Sequence, residues 1–558
     1  MKSLVLICML LGVFGSLETK NKLIECEVCR EAFKYIQKWT LNPDIWSFPI
    51  DVAVEICIKF NGYTEPVCRG AIQENVLIVT ESLARRYFDP DFACSAIELC
   101  DSPKYVRENF TEWQNNVLAS KPSAPAPTPS NQGTFKFGHM SDLHIDAFYQ
   151  EGANSNCGLP LCCREWNGPG TSGSWGDYNC DIPVKTLETA ISQMSNQDLD
   201  FVIITGDLPP HDVWNQSQSY NLQYQSIVAN LFEKYFPTTP VYYMFGNHGP
   251  FPVNALDPTN SSWFLNPVTE IWGSWLDAQA IATLKSKWAY SMVHPGTNLK
   301  LIALNTQACN NGNFFLFVNV TDPLGQIEWL ENELSQAEKS GQVVYFYAHI
   351  PIASGDCLYA WAAHVNTLID RYSNIIAGQF YGHTHNDEWH INRGIKTNEP
   401  LSIQWVAPSV TTYQGLNPSF RIYEADTVTK LVTDVHQYRL DLAAANLNPT
   451  VTPTFELAYS YLDLYGVSDL TPQTMFEYAN SLASNATGAQ QWWDNYYTGR
   501  NPSSSCNAAC RNNLVCELTW GTSVLQGVCK NSTGSGLSNE LVEALFGPWE
   551  YKVGSSII

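Results

Sequence analysis

Apolar residues recur every three or four positions through much of the first hundred residues. The spacing is clear from Cys26 to Ile36 and again from Ile72 to Leu83. Residues at this spacing lie on one face of a helix that has 3.6 residues per turn. The sequence therefore predicts a helical N-terminal region.

The middle of the chain, from Phe135 to about Leu440, differs, because short β-rich runs alternate there with longer amphipathic stretches. Two of these stretches, Val184–Met194 and Gln326–Lys339, have helical spacing. The short runs predict β-strands at Phe135–Gly138, Phe201–Thr205, Val241–Phe245, Leu301–Leu304, Val343–Tyr347, Ile375–Ala377 and Ile403–Val406. Strands that alternate with helices favour an α/β layered domain. The remainder, to Ile558, is predicted to be helical.

Composition narrows the class of protein. The chain has 558 residues, of which 45% are hydrophobic, and this is enough for a large core and for more than one folded unit. Its 31 basic and 54 acidic residues give a net charge of −23 at pH 7. Such an acidic chain is a poor candidate for binding nucleic acid, which needs clustered basic residues. The apolar content also excludes a disordered chain.

The first 17 residues are predicted to be a cleaved secretory signal. Lys2 precedes an apolar stretch from Leu4 to Phe14, which ends at the small residues Gly15 and Ser16. The stretch is too short to anchor the chain across a bilayer. No later segment reaches spanning length without polar interruption, so we expect no transmembrane anchor.

Cysteines and sequons indicate an oxidising compartment. The chain has 17 cysteines, of which Cys8 lies in the predicted signal and is removed with it. The number that remains is even, as expected where cysteines pair in disulfides. N-glycosylation sequons occur at Asn109, Asn215, Asn260, Asn319, Asn485 and Asn531. The protein is therefore expected to be secreted, and to reside in the extracellular space, the lysosomal lumen or both.

A proline-rich spacer is predicted between the helical region and the layered domain. Prolines alternate with other residues in Lys121–Ser130, which disfavours a helix and keeps the chain extended. The predicted organisation is a helical domain over residues 24–102, a linker over 103–134, the layered domain over 135–440 and a helical, cysteine-bearing region over 441–558.

Side chains that can bind metal ions come just after several of the predicted strands. They form the series Asp142-Leu143-His144, Gly206-Asp207, Gly246-Asn247-His248, His349 and Gly382-His383-Thr384-His385. Open α/β sheets place their ligand sites at the carboxyl ends of strands. Imidazole and carboxylate together suit zinc, iron or manganese. A single Asp-x-His is more often part of a turn, but five such pieces in order predict one metal site.

This series resembles that of the binuclear metallophosphoesterases of the calcineurin-like superfamily. The resemblance implies a metallophosphoesterase sandwich of the α/β (α+β) class. It implies that one metal ion is held by Asp142, His144, Asp207 and His385, and the other by Asp207, Asn247, His349 and His383. Two cations about 3.5–4 Å apart can hold a phosphoryl group and lower the pKa of a bridging water. His211 and His248 are then candidate catalytic residues, which could stabilise the phosphorus or protonate the leaving alkoxide.

The six cysteines of the N-terminal region allow many pairings. Their order, with its Cys-x-x-Cys opening, resembles that of a saposin-B domain, a small lipid-binding helical module. This resemblance implies the pairs Cys26–Cys100, Cys29–Cys94 and Cys57–Cys68. A zinc site at the Cys-x-x-Cys is disfavoured, because thiolate sites of that kind favour reducing compartments. A helical domain that only stabilises the enzyme stays open as the alternative to lipid binding.

The order of all these parts resembles that of the acid sphingomyelinase family. The likeness includes Asn305-Thr306, Asp322-Pro323-x-Gly325-Gln326 and the segment Ala407–Pro418. It implies hydrolysis of sphingomyelin to ceramide and phosphocholine with two Zn²⁺ ions per chain, and peripheral contact with sphingomyelin-containing membranes through the saposin-type domain. We expect a monomer. The family pattern also implies the disulfides Cys157–Cys162, Cys163–Cys180, Cys309–Cys357, Cys506–Cys510 and Cys516–Cys529.

Two glycines depart from the family pattern. Gly249 follows His248 where relatives usually carry an acid, and Gly312 stands in a loop where an acid is expected near a choline head group. Tyr413 could compensate, because aromatic faces hold quaternary ammonium groups, and Asn254 is another candidate head-group contact. Two alternatives stay open: a lumenal phosphodiesterase of nucleotides or other soluble phosphoesters, and a non-catalytic lipid-binding protein.

Overall fold

The computed structural model describes residues 22–41, 47–96, 110–123, 127–319, 321–500 and 505–531. The predicted signal peptide, the sequon at Asn109 and Cys100, the predicted partner of Cys26, lie outside these ranges. Among the described residues, no helix is both long and apolar enough to cross a membrane.

The N-terminal region is helical, as its apolar spacing predicts. Its helices are α1 (Lys22–Thr40), α2 (Ser47–Asn61), α3 (Glu65–Tyr87) and α4 (Pro90–Ala96). The disulfide Cys29–Cys94 joins α1 to α4, and Cys57–Cys68 joins α2 to α3. Besides cysteines, the buried apolar side chains of its described part are small, namely Val54, Val67, Ala84 and Ala93. The disulfides therefore supply constraint that a larger core would otherwise give, and the region fits a saposin-like domain.

The next segment lies against the layered domain. It forms α5 (Phe110–Ala119) and then continues into the proline-rich spacer. Lys121 pairs with Asp370 at 2.6 Å, and Ser130 Oγ donates to Asp426 Oδ2 at 2.7 Å. The described parts of the spacer are therefore held on the surface of the domain.

The layered domain is built on two sheets. Its strands, in chain order, are β1 (Thr134–Met140), β2 (Ile145–Asp146), β3 (Ile182–Pro183), β4 (Phe201–Ile204), β5 (Val241–Tyr243), β6 (Tyr290–Val293), β7 (Leu299–Ala303), β8 (Val343–Tyr347), β9 (Ile376–Tyr381), β10 (Glu388–Arg393), β11 (Pro400–Val406), β12 (Ser419–Asp426), β13 (Val432–Arg439) and β14 (Glu456–Ser460). In the described residues the first sheet has the order β14-β13-β12-β1-β4-β5, the second has the order β10-β11-β9-β8-β7-β6, and β2 pairs with β3. Neighbours among β1, β4 and β5 are parallel, as are neighbours among β7, β8, β9 and β11.

Helices connect these strands and follow them. They are α6 (Val184–Met194), α7 (Gln218–Tyr235), α8 (Ser262–Ile271), α9 (Ala278–Lys287), α10 (Gln326–Lys339), α11 (Tyr359–Arg371), α12 (Leu442–Leu447), α13 (Tyr461–Tyr465), α14 (Pro472–Ser481), α15 (Ala486–Tyr496), α16 (Ala508–Thr519) and α17 (Ser523–Asn531). The helices α6 and α10 have the bounds that their amphipathic spacing predicts.

The two sheets pack face to face through aromatic side chains. The ring of Phe137, on β1, lies 5.1 Å from that of Phe380 on β9 and 5.5 Å from that of Tyr345 on β8. All three side chains are buried. The predicted α/β (α+β) sandwich is confirmed.

The C-terminal region covers one edge of the second sheet. His390 Nδ1, on β10, bonds the carbonyl of Glu517 on α16 at 2.9 Å, and Gln404, on β11, donates to the carbonyl of Gly521 at 2.9 Å. The region is mainly helical, as predicted, but β14 pairs with β13 and extends the first sheet.

Candidate metal centre and active site

Each predicted metal ligand lies in a loop just after a strand. The loops after β1, β4 and β5 of the first sheet, and after β8 and β9 of the second, carry in order Asp142, His144, Asp207, Asn247, His349, His383 and His385. Parallel neighbours have their carboxyl ends at the same edge of a sheet. The fold therefore brings these residues, which are far apart in sequence, to one place.

Asp142, His144 and His385 form the first ligand group. One ligand atom from each lies within 4.8 Å of the others. His144 donates from Nδ1 to the carbonyl of Pro209 at 2.8 Å, and its Nε2 lies 3.6 Å from Asp207 Oδ2. This Nε2 is buried and has no hydrogen-bond partner among the described residues. A buried nitrogen whose lone pair faces a carboxylate fits a metal ion between them.

Asp207, His349 and His383 form the second ligand group, again within 4.8 Å of one another. His349 donates from Nδ1 to the carbonyl of Thr205 at 2.6 Å, and its Nε2 lies 3.0 Å from Asp207 Oδ2. Asn247 Oδ1 is 2.8 Å from that Nε2 and 3.0 Å from His383 Nδ1. Carboxylate, amide and imidazole atoms therefore converge on one point, and Asp207 also faces the first group.

The charges of the ligands are shifted by burial and by one another. Burial raises the pKa of Asp142 and lowers the pKa values of His144 and His385. For Asp207 the effect of burial is outweighed by His349, which lowers its pKa. In the same way the Asp207 carboxylate outweighs burial and raises the pKa of His349 to about 9. A divalent cation would replace that proton, because metal ligands must be deprotonated.

The backbone at the site adopts unusual conformations. The φ angle lies in the left-handed region at Asp142 (51°), His144 (33°), Asp207 (54°), His383 (75°) and His385 (66°). For non-glycine residues such conformations cost about 1–3 kcal/mol each. They cluster at functional sites. Gly382 lets the loop after β9 approach the first sheet, since an added Cβ would lie 1.7 Å from Ser141 Oγ. The ligands are therefore positioned by the backbone as well as by side-chain packing.

His211 lies beside the first ligand group, with its ring centroid 3.9 Å from that of His144. Its Nδ1 is 2.8 Å from Asp181 Oδ1, and its backbone N–H donates to Asp181 Oδ2 at 2.7 Å. Asp181 is buried and also accepts a hydrogen bond from Thr411 at 2.9 Å. This carboxylate orients the ring of His211 through Nδ1. No sequence pattern marks Asp181 as part of the site.

His248 also faces His144, with the two ring centroids 4.7 Å apart. Its backbone N–H donates to Asp207 Oδ1 at 2.8 Å. Burial lowers the pKa of His248 to about 4. Its ring is therefore neutral above about pH 4, where it can donate a hydrogen bond but carries no second proton.

The two predicted head-group contacts lie next to these residues. Asn254 Oδ1 accepts hydrogen bonds at 3.0 Å from the side chains of Asn247 and Asn310. This contact turns Asn247 Oδ1 toward the second ligand group, so Asn254 positions a ligand in addition to any role in substrate binding. The ring of Tyr413 stacks on that of His211 at 4.0 Å.

A cavity of about 450 Å³ opens beside the metal centre. One set of lining residues consists of the two candidate catalytic histidines and the two candidate head-group contacts, namely His211, His248, Asn254 and Tyr413. Another is apolar and comes from the layered domain (Val213, Trp214, Val253) and from the N-terminal region (Tyr63, Val67, Ala71). The cavity therefore brings the histidines and an apolar wall of the helical region together.

The structure also shows most of the predicted disulfides, and the asparagines of several predicted sequons lie at its surface. Besides the two of the N-terminal region it contains Cys157–Cys162, Cys163–Cys180, Cys309–Cys357, Cys506–Cys510 and Cys516–Cys529. The side chains of Asn215, Asn260, Asn319 and Asn485 are exposed, and Asn531 ends α17.

Comparison with known proteins places the chain in a family. Residues 135–387 match the calcineurin-like phosphoesterases, and residues 399–527 match the acid sphingomyelin phosphodiesterase C-terminal region. Sphingomyelin phosphodiesterase B of Dictyostelium discoideum is 33% identical over 88% of this chain and 80% of its own length. Sphingomyelin phosphodiesterase of Bos taurus is 33% identical over 91% and 84%, and a cyclic GMP-AMP phosphodiesterase of Homo sapiens is 30% identical over 73% and 93%. The sphingomyelin phosphodiesterases align over most of their own length and over most of this chain. Together with the two family matches, this shows that the protein belongs to the acid sphingomyelinase family of calcineurin-like phosphoesterases.

Proposed function

We propose that this protein is a metal-dependent phosphodiesterase that hydrolyses sphingomyelin to ceramide and phosphocholine. The observation that carries the proposal is the cavity in which His211 and His248 meet an apolar wall from the N-terminal helices. A phosphodiester of a large apolar alcohol matches both parts of this cavity. Relatives named sphingomyelin phosphodiesterases, which align with most of the chain, support the same substrate.

We propose two Zn²⁺ ions as the cofactors. The first ligand group would hold one ion, the second group together with Asn247 would hold the other, and Asp207 would lie between them. Histidine nitrogens and carboxylate oxygens are common zinc ligands, and catalytic zinc sites keep a position open for water or substrate. When bound, two such cations polarise phosphoryl oxygens and lower the pKa of a bridging water.

His211 is the residue that we assign as general acid. Once the attacking water has released one proton to solvent, its oxygen bonds to phosphorus and the bond from phosphorus to the ceramide oxygen breaks. The ceramide oxygen takes a proton from His211 Nε2, which leaves His211 neutral. Asp181 holds the ring in this orientation through Nδ1. A general acid contributes typically about 10²–10⁴-fold to the rate. His248, which is neutral above about pH 4, would donate a hydrogen bond to a phosphoryl oxygen.

We assign membrane contact to the N-terminal helices, and expect it to be peripheral. Ile56 and Phe60 on α2 are 53% and 75% exposed. A ceramide cannot leave a bilayer cheaply, because each CH₂ transferred to water costs about 0.8 kcal/mol. An enzyme acting on it therefore has to work at the membrane surface. Exposed apolar side chains suit that task on α2, the helix from which Cys57 lines the cavity.

The seven disulfides of the described residues suit an oxidising compartment, and we propose secretion to the extracellular space or delivery to the lysosome. We also propose a monomer, with a saposin-type domain over residues 24–102 and a catalytic domain over 135–440.

The alternatives are less favoured. A phosphodiesterase of soluble nucleotides would not need the apolar wall from the N-terminal helices. The observation in favour of this alternative is the relative named cyclic GMP-AMP phosphodiesterase. Gly249 and Gly312 offer no acidic side chain to bind the choline group. The aromatic ring of Tyr413 would therefore have to bind the quaternary ammonium. A purely lipid-binding protein would need neither the converging ligands nor the Asp181–His211 pair.

A substrate panel tests the proposal. The full-length protein would be assayed at about pH 5 and 7 on vesicles of sphingomyelin or phosphatidylcholine, on a cyclic dinucleotide and on a soluble phosphodiester. We expect release of phosphocholine from sphingomyelin, loss of this activity on chelation and recovery on addition of Zn²⁺. Turnover of the nucleotide without any release from sphingomyelin would refute the proposed substrate.

A further inference from the structure

Asp356 lies outside the predicted ligand series, in the loop that follows β8. Its Oδ2 is 2.9 Å from Nε2 of His383. The other ring nitrogen of His383, Nδ1, faces the metal centre and lies 3.0 Å from Asn247 Oδ1 and 3.2 Å from His349 Nε2. The imidazole of His383 therefore stands between the metal centre and a carboxylate.

This contact decides which nitrogen of His383 can bind a metal ion. A neutral imidazole carries its proton on one nitrogen and its lone pair on the other, and a hydrogen bond from the first selects the second as ligand. His144 and His349 use backbone carbonyls as acceptors for this purpose. In the described part of the chain, His383 uses the carboxylate of Asp356.

Asp356 is held in place by the loop that begins at Cys309. The backbone N–H of Asn311 donates to the Asp356 carbonyl at 2.8 Å, and Asn311 Nδ2 lies 3.4 Å from Asp356 Oδ1. Cys357, the next residue, forms a disulfide with Cys309. The side chain of Asp356 is 55% exposed. Its backbone is nevertheless held by the hydrogen bond from Asn311 and by the disulfide at the next residue, Cys357.

We propose that Asp356 is a positioning residue for the metal ion at the second ligand group. It fixes the ring orientation and the tautomer of His383, and its negative charge makes Nδ1 a stronger ligand. This rests on the metal-dependent chemistry proposed above, but it concerns only one of the two ion positions. Asp356 forms no hydrogen bond to the first ligand group among the residues that the structure describes.

The test is the affinity of the full-length protein for Zn²⁺, measured after removal of metal by titration against a chelating dye. We expect two ions per wild-type chain. In Asp356→Ala the dissociation constant of one ion should rise about 10- to 100-fold, while that of the other stays unchanged. Asp356→Asn keeps an acceptor oxygen but loses the charge, so it should show a smaller rise in the same constant.

A matched control and a kinetic measurement separate positioning from other roles. Asp198→Asn removes the same charge from an exposed residue between α6 and β4, and should leave both constants unchanged. At saturating Zn²⁺, Asp356→Ala should keep its KM, because Asp356 is not assigned to the substrate.

Three results would overturn the inference. These are unchanged affinity for both ions in Asp356→Ala, an equal loss of both, and a raised KM with normal metal binding, which would mark a substrate contact. Wild-type protein that binds two Zn²⁺ ions but does not cleave sphingomyelin would refute only the proposed substrate, and an effect of Asp356→Ala on one ion would still support its positioning role.

Discussion

Asp181 accepts hydrogen bonds from the ring and the backbone of His211 and from the hydroxyl of Thr411. A buried carboxylate with three donors has little freedom to move, so it holds the imidazole in one orientation. The same arrangement of carboxylate and imidazole supports proton transfer in hydrolases of unrelated fold. We therefore regard Asp181 as a positioning residue for proton donation by His211.

Asp181→Asn should lower kcat for phosphodiester cleavage by roughly 10–10²-fold, a part of the 10²–10⁴-fold that a general acid contributes. The amide keeps the shape of the side chain but cannot accept all three hydrogen bonds. Steady-state kinetics would be measured together with the zinc content, which should not change. Asp177→Asn is the control, because Asp177 lies in the same loop and, among the described residues, its side-chain oxygen accepts a hydrogen bond only from the nearby backbone N–H of Asn179. Wild-type kcat in Asp181→Asn would contradict the assignment.

The types of side chain at the metal centre could be predicted from sequence, whereas their supporting contacts could not. Asp142, Asp207 and His383 stand just after apolar runs, so their placement at strand ends depends on local sequence. Asp181 and Asp356 form hydrogen bonds with histidines that lie 30 and 27 residues away in the chain. No local spacing encodes such a contact, because it depends on how separate loops meet in the folded protein.

A similar limit applies to the strands. The seven predicted runs correspond to β1, β4, β5, β7, β8, β9 and β11. Strands such as β12 and β13 carry buried polar side chains that interrupt the apolar pattern. Arg421, on β12, is buried and bonds Gln437 at 2.7 Å and the carboxylate of Asp387. Its charge is acceptable in the core only because of these distant partners, so the strand cannot be read from apolar runs alone.

The close approach of two loops at the metal centre depends on Gly382. An added Cβ would lie 1.7 Å from Ser141 Oγ and 2.6 Å from Asp142 Oδ2. Gly382→Ala should therefore displace Asp142, abolish tight Zn²⁺ binding and lower the free energy of unfolding by about 1–3 kcal/mol. Denaturant unfolding and metal analysis would measure both effects.

Gly527→Ala is the matched control for this substitution. Gly527 lies in α17, and no atom would come within 4 Å of its added Cβ. Alanine in a helix is favoured over glycine by roughly 0.5–1 kcal/mol, so this variant should be as stable as the wild type or more stable. Normal zinc binding in Gly382→Ala would show that the loops can separate without loss of the site.

The contact between α3 and the layered domain carries an ionisable group. Glu74, on α3, is partly buried, and this burial together with the carboxylate of Asp212 raises its pKa to about 7. Asp212 is itself held by Arg164 at 2.6 Å and by Tyr220 at 3.1 Å. An acid whose pKa is raised in the folded state stabilises that state below its ordinary pKa, and this stability is lost as the pH rises through about 7.

Glu74→Gln should remove this dependence on pH. The variant should unfold at a higher temperature than the wild type at pH 8, and at nearly the same temperature at about pH 4. Thermal unfolding across this range is the measurement. Glu81→Gln serves as control, since Glu81 lies on the same helix and pairs with Arg85 at the surface. Equal shifts for both variants at all pH values would show that Glu74 titrates normally.

At the scale of the whole molecule, the helical region packs tightly against the layered domain beside the cavity that His211 and His248 line. An added Cβ at Gly70, on α3, would lie 2.3 Å from the carbonyl oxygen of Trp214, three residues beyond His211. That a helical region precedes the layered sheets could be predicted from the spacing of apolar residues along the chain. The apolar wall of the cavity could not, because Val67 and Trp214 come from segments that no pattern connects.

The exposed apolar residues of α2 should matter only when the substrate is in a membrane. Ile56→Ser combined with Phe60→Ser should reduce turnover of sphingomyelin vesicles severalfold or more, because buried apolar area contributes about 25 cal/mol per Å² to binding. Turnover of a soluble phosphodiester should not change, since neither residue lines the cavity. Vesicle co-sedimentation would measure the loss of membrane binding directly.

The control for this variant is Leu447→Ser combined with Val451→Ser. These residues are 81% and 61% exposed, which is similar to the exposure of the α2 pair. They lie shortly before β14, after the strands whose loops carry the candidate metal ligands. Loss of vesicle turnover in the control as well would mean that exposed apolar area in general drives binding. Loss on the soluble substrate in the α2 variant would mean that the helical region stabilises the catalytic domain. Only a loss confined to vesicles and to α2 fits a surface that delivers a membrane lipid to the histidines.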